Sequence, residues 1–225
     1  MKKILFITTI LLGQWLLSQN HDIQQVVTTP NGFYSKPLKT QKDDHKIEGS
    51  PYSNGDRFNK VIIKDYSKNV QDLRYNAYYD EMEFKMDNEL YYANKEEGLK
   101  IQFPELKKTY ESLTYTYEGK TRTGYLVLLV DRPKYTLYKR EKIELMTGTK
   151  SNNGFTQDAH DYYEKDKDLY MISKDKKFYK FPKNTIDAAE LFSIDKKELE
   201  SFVKSNKINF GKEPDMIKLT EFVNK

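Results

Sequence analysis

From Val61 to Phe181 the apolar residues of this chain recur mostly every second position, and beyond Thr185 they recur at helical spacing. That switch of period constrains the fold more than any other feature, because strands alternate faces and helices repeat every 3.6 residues. Leu73, Tyr75, Ala77 and Tyr79 alternate with polar residues, as do Met82, Phe84 and Met86. Glu81 and Glu83 then share the opposite face, the wet face of a half-buried strand. Leu113, Tyr115 and Tyr117 share one face, and Glu118-Gly119-Lys120 turns the chain. Tyr125 to Val130 is a continuous apolar run, which predicts a central strand covered on both sides. Asp131-Arg132-Pro133 turns the chain into a strand over Tyr135–Leu145. Thr147–Lys167 reads as a long loop, and Leu169–Ile172 pairs with Lys177–Phe181 as a hairpin.

Three short helices follow. Thr185–Phe192 is the first. Asp195–Ser205 is the second, with Asp195 and Glu198 as a capping pair and Leu199, Phe202 and Val203 as its apolar stripe. The third begins near Pro214, a favoured first-turn residue, and buries Met216, Ile217, Leu219, Phe222 and Val223. Strands first and helices after predict an α+β fold: an antiparallel β-sheet meander with C-terminal helices packed on it or beside it. Sandwich and half-barrel both remain open for the sheet.

The N-terminus bears on compartment. Met1-Lys2-Lys3 precedes an apolar run, Ile4–Leu12, and Ser18-Gln19 ends it. This is the pattern of a secretory signal peptide over residues 1–18, cleaved after Ser18. Residues 19–50 read as a polar, partly disordered leader with a short strand around Ile23–Val27. The β body then covers 51–182 and the helical segment 183–225. Removing 18 of 225 residues leaves 207, enough for a core without staples. The chain has no cysteine, so disulfides, thiolate zinc sites and a lipidated cysteine anchor are excluded. The formal charge of +4 falls to +2 once Lys2 and Lys3 leave, which gives no reason to expect nucleic acid. The expected product is exported, to periplasm or exterior, with no integral membrane segment after cleavage.

Two stretches carry a resemblance. One is Leu73-Arg74-Tyr75-Asn76 with Asp80-Glu81-Met82-Glu83-Phe84; the other is Phe202–Asn209 with Asp215–Leu219 and Phe222-Val223-Asn224. On these the chain resembles a group of uncharacterised exported proteins from Bacteroidota. The resemblance implies a Gram-negative envelope or extracellular setting and no activity.

Catalytic signatures are sparse. The sequence holds three histidines, His21, His45 and His160, and no Gly-x-Ser-x-Gly elbow, P-loop, dinucleotide fingerprint or zinc-protease motif. No cofactor is expected. Arg74, Asn76 and Asp80 fall on one alternating face and form a candidate polar groove for a ligand carboxylate or sugar; the competing reading is a cross-strand ion pair. Asp158, His160 and Asp161, with Glu164 nearby, form a candidate metal cluster; the competing reading is a solvated acidic loop. Eighteen tyrosines suit either a sticky aromatic surface or half-buried strands. The leading expectation is a non-catalytic binding or scaffolding module acting on a protein or glycan partner in the envelope. The alternatives are a hydrolase of envelope or environmental polymers and an outer-membrane-associated assembly factor.

Overall fold

A computed structural model describes residues 47–64, 71–149 and 160–225, together with the backbone of Tyr34–Ser35. The expected signal peptide, the strand around Ile23–Val27 and Asp158 lie outside the described residues. The architecture is α+β: antiparallel sheets followed by three C-terminal helices. In chain order the strands are β1 (Tyr34–Ser35), β2 (Ile62–Ile63), β3 (Arg74–Asn76), β4 (Glu81–Met86), β5 (Glu89–Ala93), β6 (Lys100–Phe103) and β7 (Lys108–Tyr117). Then come β8 (Lys120–Val130), β9 (Thr136–Arg140), β10 (Ile143–Met146), β11 (Tyr162–Lys165), β12 (Leu169–Lys174) and β13 (Lys177–Lys180). The helices are α1 (Thr185–Phe192), α2 (Lys196–Asn206) and α3 (Glu213–Val223). No helix among the described residues is long and apolar enough to cross a membrane.

The main sheet has the order β13-β12-β9-β8-β7-β6-β2, and β8 is central as its apolar run requires. One face of this sheet is concave. Tyr115, Leu126, Tyr138 and Met171 lie on it, and the sheet curls until Phe178 of β13 packs at 5.5 Å from Tyr115 and 5.7 Å from Tyr138. The other face is covered twice. At one end Tyr110 and Tyr125 meet Tyr75 of the smaller sheet, order β1-β5-β4-β3, with ring centroids at 4.7 and 6.2 Å. At the other end Val130, Leu137 and Ile172 meet Phe192, Leu199, Met216 and Leu219 of the helices.

The helices end and dock as their sequences direct. Asn184 caps α1, its side-chain oxygen accepting from the Ile186 and Asp187 amides at 3.0 Å. Asp195 caps α2 by accepting from the Glu198 amide at 3.0 Å. The Tyr135 hydroxyl donates to the Phe192 carbonyl at 2.6 Å, tying the end of α1 to the sheet. Asn224, just past α3, accepts from the Tyr135 amide and donates to the Tyr135 carbonyl at 3.0 and 2.9 Å, so one side chain replaces a strand partner.

Three local expectations change. The strand expected over Tyr135–Leu145 is two strands, β9 and β10, parted where Glu141 turns into the core. The expected loop over Thr147–Lys167 contains β11, which pairs with β10. Part of the expected leader joins the fold: Tyr34–Ser35 pairs with β5, and Glu48 bridges to Tyr162. Each added segment satisfies backbone groups along an otherwise open strand edge.

Candidate functional site

Arg74 and Asn76 lie on β3, and register sets Arg74 opposite Glu83 of β4. The carboxylate of Glu83 is buried, with 1 % of the residue exposed. Four donors converge on it. Arg74 donates from Nε and Nη2 at 2.8 and 2.7 Å, the Tyr52 hydroxyl donates at 3.1 Å, and Asn76 Nδ2 donates to the other oxygen at 2.7 Å. The guanidinium is itself sandwiched, 3.9 Å from the Tyr52 ring centroid and 4.4 Å from that of Phe58. So the cross-strand ion pair is present, and it is buried rather than exposed. Glu83 departs from the wet-face expectation for the same reason: its charge is matched by a planar fork and two neutral donors. Burial, with the Glu83 charge second, pushes the Tyr52 hydroxyl well above its ordinary value.

Asp80 does not join that cluster. It ends the turn between β3 and β4 with φ of 57°, in the left-handed region. The turn carries its side chain to Tyr75, which donates at 2.7 Å, and to the Tyr125 amide of β8, which donates at 3.1 Å. Burial raises the Asp80 carboxyl, and Lys95 and these donors offset part of the rise. Asn76 Oδ1 meanwhile accepts from the Tyr78 and Tyr79 amides, shaping the turn that separates the two groups.

A second buried carboxylate belongs to Glu141. Lys108 Nζ and the Tyr110 hydroxyl each donate to it at 2.7 Å, the Ser53 hydroxyl donates at 2.9 Å, and Lys139 Nζ stands 3.5 Å away. Burial alone would raise this carboxyl; the donors and the Lys108 charge overturn that and hold it at about 2. Lys139 also donates to Glu213 at 2.9 Å, as does Tyr170, so the network runs from the segment before β2 through the sheet to α3. Sequence reasoning missed Glu141, because a carboxylate set among Lys139, Arg140 and Lys142 reads as part of a solvated charged run and gave no sign that the fold would enclose it.

The described metal candidates, His160 and Asp161, differ in role. His160 is exposed, and Asp161 accepts from the Gly148 amide at 2.8 Å. No group of three or more His, Cys, Asp or Glu side chains placed to hold a metal occurs among the described residues.

The tyrosines divide. Tyr75, Tyr91, Tyr110, Tyr115, Tyr125, Tyr135 and Tyr138 are buried, as the strand reading expects. Tyr179 on β13 is not; it is 39 % exposed. It lines a groove of ≈ 480 Å³ between the β12–β13 hairpin and α1, with Lys174, Lys177, Asp187, Glu190 and Leu191. Asp187, Glu190 and Leu191 follow an i, i+3, i+4 spacing, which sets them on one face of α1. Lys174 Nζ donates to the Leu191 carbonyl at 3.2 Å and to Ser193 Oγ at 3.3 Å, bracing hairpin against helix.

No protein-family model, curated protein or solved structure matches the chain.

Proposed function

We propose that the chain is an exported, non-catalytic binding or scaffolding module of the cell envelope, acting through contacts with a protein or glycan partner. The observation that carries this reading is the Tyr179 groove. An exposed aromatic ring sits there among both hydrogen-bond donors and acceptors, on two elements braced together by Lys174. Concave surfaces that combine apolar area with a few placed polar groups are where ligands bind.

The interior carboxylates support the same division of labour. A carboxyl held at about 2, as in Glu141, is a weak proton acceptor at neutral pH and a durable charge partner. Glu83 likewise spends its acceptor sites on Arg74, Asn76 and Tyr52. Export rests on the basic, apolar and small-residue order of residues 1–18.

The test is saturable binding. Fluorescently labelled protein purified from its native host is titrated onto isolated envelopes of that host. Saturable binding that unlabelled protein displaces is expected. Binding that stays linear and is not displaced overturns the reading.

A further inference from the structure

We propose that the Tyr179 groove is a glycan subsite, and that its ligand is a neutral oligosaccharide rather than a charged polymer. This rests on the binding-module reading and names the ligand class of the same site.

The chemistry of the walls selects the class. A pyranose ring presents apolar C–H faces and a rim of hydroxyls, each able to donate and accept. Tyr179 offers accessible aromatic surface for the first. Asp187 and Glu190 offer acceptors, and Lys174 and Lys177 offer donors, for the second. Asp175 at the hairpin tip adds a third carboxylate, so two lysines face three carboxylates and the formal charges nearly cancel. A polyanion would meet the carboxylates and a polycation the lysines; a neutral polyol meets neither penalty.

The site is also built in advance. Lys174 is held by the Leu191 carbonyl and Ser193 Oγ, and its ammonium lies 5.7 Å from the Tyr135 ring centroid. Among the described residues, two of its three N–H donors are used, leaving one for a ligand. The hairpin turn is fixed by Asp175 and Lys176, both at positive φ (51° and 62°), the pattern of a two-residue type I′ turn. Little ordering is therefore left to oppose binding.

Length follows from a second depression. On the far side of Tyr179 and Lys177 lies a hollow of ≈ 340 Å³ bounded by Thr114, Thr116, Lys176 and Phe178. Because Lys177 and Tyr179 line both hollows, the tyrosine stands at their junction. A ligand spanning the two must be longer than one sugar ring.

The experiment is isothermal titration of the full chain, purified from its native host, with chitohexaose, laminarihexaose and xylohexaose as neutral probes. Hexagalacturonate is the acidic probe, and the matching monosaccharides are the short ones. At least one neutral hexasaccharide binds saturably, its monosaccharide binds about ten-fold more weakly, and Tyr179→Ala weakens the hexasaccharide by about ten-fold. Tyr179→Phe, which keeps the ring, retains most of the affinity. The proposal is overturned if no neutral hexasaccharide saturates, if only hexagalacturonate binds, or if Tyr179→Ala binds like the parent. Saturable envelope binding shared equally by the parent and Tyr179→Ala sinks the glycan subsite and leaves the binding-module reading standing. Loss of all saturable envelope binding by the parent sinks that reading itself.

Discussion

Gly124 of β8 leaves the space that the Asp80 carboxylate fills: a Cβ built on Gly124 would overlap Asp80 Oδ2. The close approach lets Asp80 accept from the neighbouring Tyr125 amide where β9 no longer covers β8. Gly124→Ala is therefore an overpacking change, costing about 1–3 kcal/mol. Urea unfolding measures it, and the double variant with Asp80→Ala loses less than the sum of the two single losses, because the clash needs both side chains.

Removing the Glu83 carboxylate strands a buried cation. Arg74 and Glu83 side chains are 14 % and 2 % exposed, so neither water nor salt replaces the missing partner. Glu83→Ala is expected to cost about 3–5 kcal/mol. Combining Glu83→Gln with Arg74→Met removes the unpaired charge and recovers part of the loss. Chemical denaturation of the single and double variants checks both statements.

Glu141 sets an acid limb on stability. Its carboxyl lies at about 2 in the fold against an ordinary 4.5, so the unfolded chain binds the proton more readily. Its stabilising contribution is complete above pH 4.5 and is lost as pH falls toward 2. Asp80, Glu81 and Glu111 are raised by burial and contribute with the opposite sign, their burden easing as the pH drops. The difference between the parent and Glu141→Gln isolates the first effect. That difference grows from pH 2 to pH 4.5 and is flat above.

Asn224 docks the last helix. Its side chain pairs with both backbone groups of Tyr135 and also donates to the Thr220 carbonyl at 2.8 Å. Asn224→Ala leaves the Tyr135 groups with water or nothing and costs about 1–2 kcal/mol. Hydrogen exchange should then quicken in α3 before it quickens in β8.

The sequence made the strand-to-helix order legible, because the period change near residue 182 is local and repeated over many residues. The caps at Asp195 and the Pro214 start were equally local. The sites were not. Alternation placed Asp80 with Arg74 and Asn76, yet the turn at Ala77–Asp80 shifts the parity and sends Asp80 to Tyr75. Glu83 looked like a solvent-facing residue until Tyr52, 31 positions away, closed over it. Glu141 meets Ser53 across 88 positions and Lys108 across 33. The Tyr179 groove joins a hairpin to a helix through Lys174. Contacts at such separations leave no periodic trace in the chain.

Compartment is the claim on which the functional reading rests, and N-terminal sequencing of the protein recovered from each fraction of its native host tests it most directly. The expected chain begins at Gln19 and is found in the periplasm or the medium. Recovery from the cytosol with Met1 still attached would contradict it.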